Sequence, residues 1–300
     1  MKKMYAAAAI MAAVMLTGCG GETSSAPSEI IVAGENTAEA EQGIFPVKLP
    51  DGTEIKSEPQ RIASLSPAAT EILAELGYAD RLCAVSRYCD YPDGLPEMSA
   101  GSSENPDIDK LTELAPDVVF TMSALAEREI YSLNSAGITV VALSAPKTVE
   151  NYGNLYRTAA GVFSGGEAGA AAAEKAVAAL KSSASGAELG TFIYVTPKLT
   201  AAGADTFESA VLSLSGKNIF TGEGYAEAAE ETDIPQYIIA ADSLTELDIA
   251  GNSVYSAMIS SGAEVLFVPA ERFERPSARL SEVFSALSEQ LSGSVTAQAE

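Results

Sequence analysis

Short apolar runs alternate with amphipathic stretches from about residue 61 to residue 291 of this chain. The apolar runs are typical of buried strands, and the stretches between them repeat their apolar residues with a helical period. The pattern predicts strands at 61–65, 81–86, 118–121, 138–143, 191–195 and 265–268, and helices at 66–76, 109–114, 124–135, 149–163, 167–182, 207–214 and 276–291. This alternation favours an α/β fold with mostly parallel sheets.

The pattern divides into two α/β halves around a central pair of helices. Gly165 and Gly166 separate the two helices, and the second contains the alanine-rich run 168–180, which has a high helix propensity. We interpret this second helix as a rigid connector, although a plain surface helix is the alternative. Two halves joined by one helix imply a cleft, and ligands of such sheets bind beyond the carboxyl ends of the strands.

The two halves show a weak internal repeat, in which similar segments recur in the same order. The matched pairs are 69–77 with 208–216, 109–114 with 242–247, and 135–143 with 260–268. Nothing after Leu247 matches the strand in 116–120, so we expect the second half to lack that strand or to build it differently. The alternative is that unrelated βα units reuse similar residues.

The N-terminus has the layout of a secretory signal. Lys2 and Lys3 precede an apolar run of about 13 residues, too short for the roughly 20 that a membrane span needs. The ending Leu-Thr-Gly-Cys (16–19) resembles a bacterial lipobox, in which the cysteine becomes the lipidated N-terminus. This resemblance implies lipidation at Cys19 and a place on the extracytoplasmic face of the bacterial cell membrane, held by acyl chains.

Composition and charge exclude several classes of function. The formal charge of −23 argues against binding nucleic acid or lying on an anionic membrane surface. The chain has no histidine, which removes the usual general base, the Ser–His and Cys–His nucleophilic pairs and the commonest transition-metal ligand. We therefore expect no enzyme activity, no metal site and no resident cofactor.

Two cysteines remain beside Cys19. Cys83 and Cys89 are six residues apart, and the outer compartment permits a disulfide. In a straight strand six residues span about 20 Å, far beyond the reach of a disulfide. We predict two free, mostly buried thiols, and a disulfide is the alternative.

A set of motifs resembles the substrate-binding proteins of ABC importers for cobalamin, haem and ferric siderophores. The motifs stand at 61–77, 84–92, 111–120, 216–220 and 273–280, and the resemblance covers about residues 58–292. It implies two similar α/β lobes bridged by one long helix, with the ligand between them and little closing motion. We accordingly assign 1–18 to a signal peptide, 19–57 to the lipidated cysteine and a flexible tether, 58–165 to an N-terminal lobe, 166–186 to the connecting helix and 187–295 to a C-terminal lobe.

Within that family, Ser-Arg-Tyr-Cys-Asp-Tyr-Pro (86–92) most resembles the cobalamin-binding members. There the tyrosine at the place of Tyr88 packs on the corrin, a task that suits a flat apolar ring with a polar tip. The family's cobalamin binders also use tryptophans, and this chain has none. The resemblance implies ligand binding by Ser66, Tyr88, Asp90 and Tyr91. Ser103 stands at the place of one of the tryptophans, and corrin contact could move to other groups such as Tyr225 and Phe273. Alternatively Tyr88 and Tyr91 are ordinary loop aromatics.

Three arginines beside these motifs are the candidate contacts for the alternative ligands. Arg87, Arg272 and Arg275 could meet the carboxylates of haem or an anionic siderophore, although Arg275 is expected to be structural.

The family docks on its permease through one acidic residue on each lobe. The matching positions are Asp109 and Asp242, and Glu113 and Glu246 are alternatives one turn later. The resemblance predicts a binding lipoprotein that captures a corrinoid, or else a ferric siderophore or haem, and delivers it to permease subunits. The cargo would be cobalamin or an iron complex, and membrane contact would be through the lipid alone. From other classes, a carboxylate-dependent cell-wall hydrolase or a surface adhesin remains open.

Overall fold

The computed structural model of the protein describes residues 44–230 and 232–297. The predicted signal peptide, the lipidation site Cys19 and the first part of the tether lie outside the described residues. Across the described ranges, no helix combines the length and the apolar character needed to cross a bilayer.

Part of the segment that the sequence analysis assigns to the tether is folded. Strands β1 (Val47–Lys48) and β2 (Glu54–Ile55) pair antiparallel, and Val47, Leu49 and Ile55 are buried in the main core. Residues 44–57, which the sequence analysis includes in the tether, therefore form part of the folded body. Their alternation of apolar and polar residues is too short to stand out as a strand signal.

The N-lobe is a four-stranded parallel sheet covered by helices. Its strands lie in the order β4-β3-β5-β6 and its helices connect them. The elements are β3 (Ile62–Ser64), α1 (Pro67–Glu75), β4 (Leu82–Val85), α2 (Ile108–Leu114), β5 (Val118–Thr121), α3 (Glu127–Ser135) and β6 (Thr139–Ala142). A short 3-10 turn (Ala79–Arg81) precedes β4.

A folded-back pair of helical segments joins the lobes. Helix α4 (Val149–Ala184) is interrupted at Gly165, whose φ of 77° lies in the left-handed region that favours glycine. A Cβ atom on Gly169 would lie 2.4 Å from the carbonyl oxygen of Arg157, and one on Gly153 would lie 2.8 Å from Val177. These close approaches show that the segments before and after Gly165 pack antiparallel. The helix break predicted at Gly165 and Gly166 is confirmed.

The C-lobe is a six-stranded sheet with a parallel centre. Its strands follow the order β10-β8-β7-β11-β12, and β9 also pairs with β7. The elements are β7 (Gly190–Val195), β8 (Ala201–Ala202), α5 (Phe207–Leu212), β9 (Gly216–Asn218), β10 (Tyr225–Ala226), β11 (Tyr237–Ala241), α6 (Glu246–Gly251), α7 (Ser253–Ser260), β12 (Glu264–Val268), α8 (Glu271–Glu274) and α9 (Ser281–Ala297). A 3-10 turn (Ala278–Leu280) precedes α9. The predicted α/β class with two lobes of mostly parallel sheet is confirmed.

The lobes repeat one another, but in a different register from the one the sequence suggested. The N-lobe order β4-β3-β5-β6 corresponds to β9-β7-β11-β12 in the C-lobe. Helix α2 therefore precedes the third strand of its lobe, whereas Asp242 follows the equivalent strand β11. The matching of 109–114 with 242–247 is wrong, because the two segments, although similar in sequence, occupy different places in the topology. The strand thought to be missing is β11, which the sequence analysis overlooked.

One apolar core extends through both lobes. It contains α1 residues such as Ile72, α4 residues such as Leu155 and Leu180, and C-lobe residues such as Ile239 and Phe284. Two smaller clusters lie under α2 and α3 in the N-lobe and under α6 and α7 in the C-lobe. Because the lobes share a core, we expect them to separate only at a substantial cost.

We predict that Gly169→Ala destabilises the protein by about 1–3 kcal/mol, because the new methyl group would press on the Arg157 carbonyl. Gly166→Ala is the matched control, since a Cβ there meets nothing within 4 Å. That control should be neutral or stabilising by up to about 1 kcal/mol, the intrinsic preference of a helix for alanine. Urea unfolding of both variants measures the difference, and equal effects would contradict the antiparallel packing.

Candidate functional site

The carboxyl edges of the two sheets meet at one ion pair. In the N-lobe, β4 leads into residues 86–92, which we call the aromatic loop. In the C-lobe, β12 leads through α8 to Arg275. Arg275 Nη1 lies 2.5 Å from Asp90 Oδ1, and Arg275 Nη2 donates to the Tyr88 carbonyl oxygen at 3.4 Å. The predicted loop therefore lies where the lobes face each other.

The aromatic loop presents two tyrosines to solvent. Tyr88 is 51% exposed and Tyr91 is 42% exposed. Arg87 donates to the Tyr88 hydroxyl at 2.7 Å, and its guanidinium carbon lies 4.8 Å from the centre of that ring. Both rings are available to a ligand, and Arg87 fixes the tip of the first.

The two predicted serines are buried under this edge. Ser103 Oγ donates to the Leu65 carbonyl at 3.2 Å and accepts from the Met122 amide at 3.1 Å. Ser66 precedes α1 and is also buried. In the described structure Ser103 ties neighbouring loops together.

The C-lobe contributes one exposed and one buried aromatic residue. Tyr225 is 56% exposed, and its hydroxyl lies 2.9 Å from both carboxylate oxygens of Glu208. Phe273 is buried and packs edge-on against Tyr194, with the ring centres 5.4 Å apart. Tyr225 can therefore contact a ligand directly, whereas Phe273 supports Tyr194 from behind.

The C-lobe edge is acidic. Burial raises the pKa of Tyr194, and the negative charges of Glu208, Asp242 and Glu274 raise it further. Burial raises the pKa of Tyr225 as well, and the negative charge of Glu208 raises it further. None of these three carboxylates forms an ion pair within residues 44–230 and 232–297. Their charge is therefore left uncompensated at this edge.

The arginines of this region are mostly committed to carboxylates. Arg272 Nε donates to Glu282 Oε2 at 2.6 Å, and Arg275 pairs with Asp90. Of the three arginines considered as ligand contacts, only Arg87 has no carboxylate partner in the part of the chain that the structure describes.

A buried carboxylate joins the lobes behind the aromatic loop. Glu71 on α1 is 1% exposed, accepts from Ser277 Oγ at 2.5 Å and lies 3.3 Å from Arg279 Nη1. Burial raises the pKa of Glu71, and the hydrogen bond from Ser277 and the charge of Arg279 oppose the rise. We call this contact between Glu71, Ser277 and Arg279 the interlobe latch.

The latch extends one turn further along α1. Glu75 accepts from the Ala278 amide at 2.8 Å and from the Tyr156 hydroxyl, and Tyr152 donates to the Ser277 carbonyl at 3.2 Å. Burial raises the pKa of Glu75, with the Tyr156 hydrogen bond acting against it. Sequence reasoning missed this contact. The available signal was the position of Glu71 among the buried residues of an otherwise apolar helix face.

Both remaining cysteines are free and partly exposed. Cys89 Sγ lies 3.1 Å from Thr70 Oγ1. Burial raises the pKa of both thiols, so both are less reactive than an ordinary cysteine. The prediction of free thiols at Cys83 and Cys89 is confirmed.

The predicted docking residues lie on different kinds of element. Asp109 stands in the first turn of α2, and together with Arg87 it lines a surface pocket of about 540 Å³. Asp242 follows β11 and accepts from the Ala270 amide at 3.3 Å. Of the alternatives, Glu113 pairs with Lys110 at 3.0 Å, and Glu246 begins α6.

We predict that Glu71→Ala lowers the free energy of unfolding by about 3–5 kcal/mol, because it leaves Ser277 and Arg279 without their buried partner. Glu174→Ala, at an exposed position of α4, is the control and should change it by less than about 0.5 kcal/mol. Denaturant unfolding compares the two variants, and similar losses would contradict the latch.

Glu71→Gln tests the electrostatics of the latch. Because the folded-state pKa of Glu71 lies above its ordinary value of 4.5, the folded protein binds this proton more readily than the unfolded chain does. Lowering the pH from 7 towards 4.5 should therefore stabilise the parent relative to Glu71→Gln. The free energy of unfolding of the parent minus that of Glu71→Gln should increase as the pH falls across this range, and a constant or decreasing value would overturn the assignment.

Comparison with known proteins shows which proteins this chain resembles. Residues 62–243 match the model of a periplasmic binding protein family. The uncharacterised ABC transporter substrate-binding lipoprotein YvrC of Bacillus subtilis is 29% identical over 79% of this chain and 79% of its own length. A cobalamin-binding protein of Halobacterium salinarum is 24% identical over 80% of this chain and 74% of its own.

Among solved structures, the periplasmic haem-binding protein HutB of Vibrio cholerae has the same fold. Its TM-score is 0.62 at 17% identity, over 77% of this chain and 98% of its own. The resemblance inferred from the sequence motifs is thereby confirmed. With more than half of its length matched by the family model and its two-lobe fold shared with a solved neighbour, this chain belongs to the periplasmic binding protein family.

Proposed function

We propose that this protein is the substrate-binding component of an ABC importer, and that it captures a corrinoid and delivers it to the permease. One observation carries the proposal. Exposed Tyr88 and Tyr225 stand at the carboxyl edges of opposite lobes, which meet at the Asp90–Arg275 ion pair. Exposed aromatic rings on both lobes suit a large flat macrocycle. The relative named for cobalamin supports the same class of ligand.

The charge of the edge favours a corrinoid over haem. Corrinoids carry amide side chains and a cationic metal centre, whereas haem carries two carboxylates. The uncompensated carboxylates Glu208 and Glu274 would repel haem and accept hydrogen bonds from amides. Haem or an anionic siderophore is the second candidate. Arg87, which has no carboxylate partner among the described residues, and the haem-binding neighbour HutB support that alternative.

Transport requires no covalent step in this mechanism. The lobes hold the ligand, the protein docks, and the permease takes the ligand as the lobes separate. We also propose that Cys19 is lipidated and that the protein works on the extracytoplasmic face of the membrane, as the lipobox-like ending and the name of the Bacillus relative support. A family of binding proteins speaks against the hydrolase alternative.

Docking is proposed through Asp109 on the N-lobe and Asp242 on the C-lobe. Both lie in exposed positions, which suits contact with basic residues of the permease. The topology removes the argument from the internal repeat, so Asp242 now depends on its exposure at the carboxyl edge and on the family resemblance. Each residue therefore has to be tested separately.

We predict that a corrinoid stabilises the protein, by about 2.7 kcal/mol at a hundred times its dissociation constant. Thermal unfolding with cobalamin, cobinamide, haem and ferric siderophores makes the comparison, and a shift with haem alone would favour the second candidate. Tyr88→Ala should weaken binding about tenfold, or about 1.4 kcal/mol, in calorimetry. Tyr131→Ala is the control, because Tyr131 is 75% exposed on α3. No shift with any ligand would refute the proposed cargo.

We predict that Asp109→Arg together with Asp242→Arg abolishes uptake in cells while purified protein still binds ligand, since like charges would then face each other at the permease. Each single variant should lower uptake about tenfold or more, and Glu174→Arg on the exposed face of α4 should not. Full uptake by Asp242→Arg alone would remove that residue from the interface.

A further inference from the structure

The aromatic loop belongs to the N-lobe but is held by arginines of the C-lobe. Arg275 contacts Asp90 Oδ1 at 2.5 Å and the Tyr88 carbonyl at 3.4 Å. The guanidinium carbon of Arg279 lies 4.4 Å from the centre of the Tyr91 ring. Two arginines four residues apart therefore contact three of the seven loop residues from across the lobe junction.

The second arginine is itself firmly anchored. Arg279 Nε donates to Glu282 Oε1 at 3.0 Å, and Arg279 Nη1 reaches the buried Glu71 at 3.3 Å. The side chains of Arg275 and Arg279 are 20% and 21% exposed, whereas the side chain of Asp90 on the loop is 66% exposed. The C-lobe side of this contact is thus the better fixed of the two.

The N-lobe holds the same loop at Ser86, which is 1% exposed, and at Cys89. Its thiol lies beside Thr70 Oγ1, and its side chain packs against the main core. Other hydrogen bonds lie within the loop, such as that from the Cys89 amide to the Ser86 carbonyl at 3.0 Å. Tyr88, Asp90 and Tyr91, which lie beside Cys89, are contacted by Arg275 and Arg279 of the C-lobe.

We infer that Arg275 and Arg279 are positioning residues that hold Tyr88 and Tyr91 in place only while the lobes are together. Separating the lobes breaks the Asp90–Arg275 ion pair, withdraws Arg279 from the Tyr91 ring and frees the loop. Lobe separation then moves the C-lobe away from the site and also releases the aromatic loop, which forms the N-lobe side of the site. The mechanical part stands on the contacts alone, and its consequence for cargo rests on the proposed function.

The absence of tryptophan from the sequence makes a direct test possible. Tyr88→Trp places a single fluorophore on the loop, and acrylamide quenching of the ligand-free protein reports how well the loop is held. Adding Arg275→Gln should raise the quenching constant by about twofold or more, while Arg275→Lys, which keeps a charge for Asp90, should fall between. Arg128→Gln, on the exposed face of α3, is the control and should leave it unchanged.

A double variant checks that the ion pair is the cause. If Asp90→Asn loosens the loop, adding Arg275→Gln should add little, because both remove the ion pair and only the longer contact of Arg275 with the Tyr88 carbonyl, at 3.4 Å, is lost in addition. Because Asp90 and Arg275 lie near the surface, these variants should fold, and the thermal unfolding curve of each confirms it. An unchanged quenching constant in folded Arg275→Gln would overturn the inference.

Ligand affinity separates this inference from the proposed function. With a ligand that stabilises the parent, Arg275→Gln should raise the dissociation constant about tenfold. A loosened loop with unchanged affinity would overturn the positioning role. A loosened loop in a protein that binds none of the ligands would support the mechanical inference and refute the proposed function.

Discussion

The contact on which this structure most depends is a carboxylate buried between the lobes. Glu71 is almost fully removed from water, and an ionised carboxylate in such a place requires hydrogen bonds and an opposite charge. Both come from the other lobe, through Ser277 and Arg279. Removing either lobe from this contact would leave a buried charge without a partner. The latch therefore restricts the arrangements of the lobes to those in which the carboxylate stays paired.

Four connections of different strength hold the lobes. The shared apolar core and the two segments of α4 form the permanent ones, and the interlobe latch adds a buried ionic contact. The Asp90–Arg275 pair is more exposed, and pairs of that kind contribute about 0–1 kcal/mol. Movement should therefore concentrate at the carboxyl edge, where the weakest contact lies. A small opening at that edge agrees with a stiff connector, which limits hinge amplitude.

Much of the fold follows from the sequence because local signals agree with the tertiary arrangement. Val118–Thr121 is a strand at the predicted residues, and Gly165 breaks the helix as predicted. Strand β11 was missed because two of its five residues are alanines, which are depleted in strands, so burial and not propensity determines it. Without that strand the repeat was aligned on similar letters, and Asp242 was given the place of a helix residue. The sequence could mark Glu71 as a charged residue among apolar ones, but it could not identify the partner Ser277, which is 206 residues away.

The C-lobe edge is acidic because the basic residues near it are paired with carboxylates at the lobe junction. The chain has 41 acidic and 18 basic residues, and Arg272, Arg275 and Arg279 are all used to neutralise carboxylates at the junction. The carboxylates further along the edge are left without partners. Because salt screens exposed charges within about 8 Å at physiological ionic strength, their field acts on groups in or near contact with them. Under the proposed function, the edge would therefore discriminate between ligands by the charge of the groups that touch it, and the net charge of the protein as a whole would matter less.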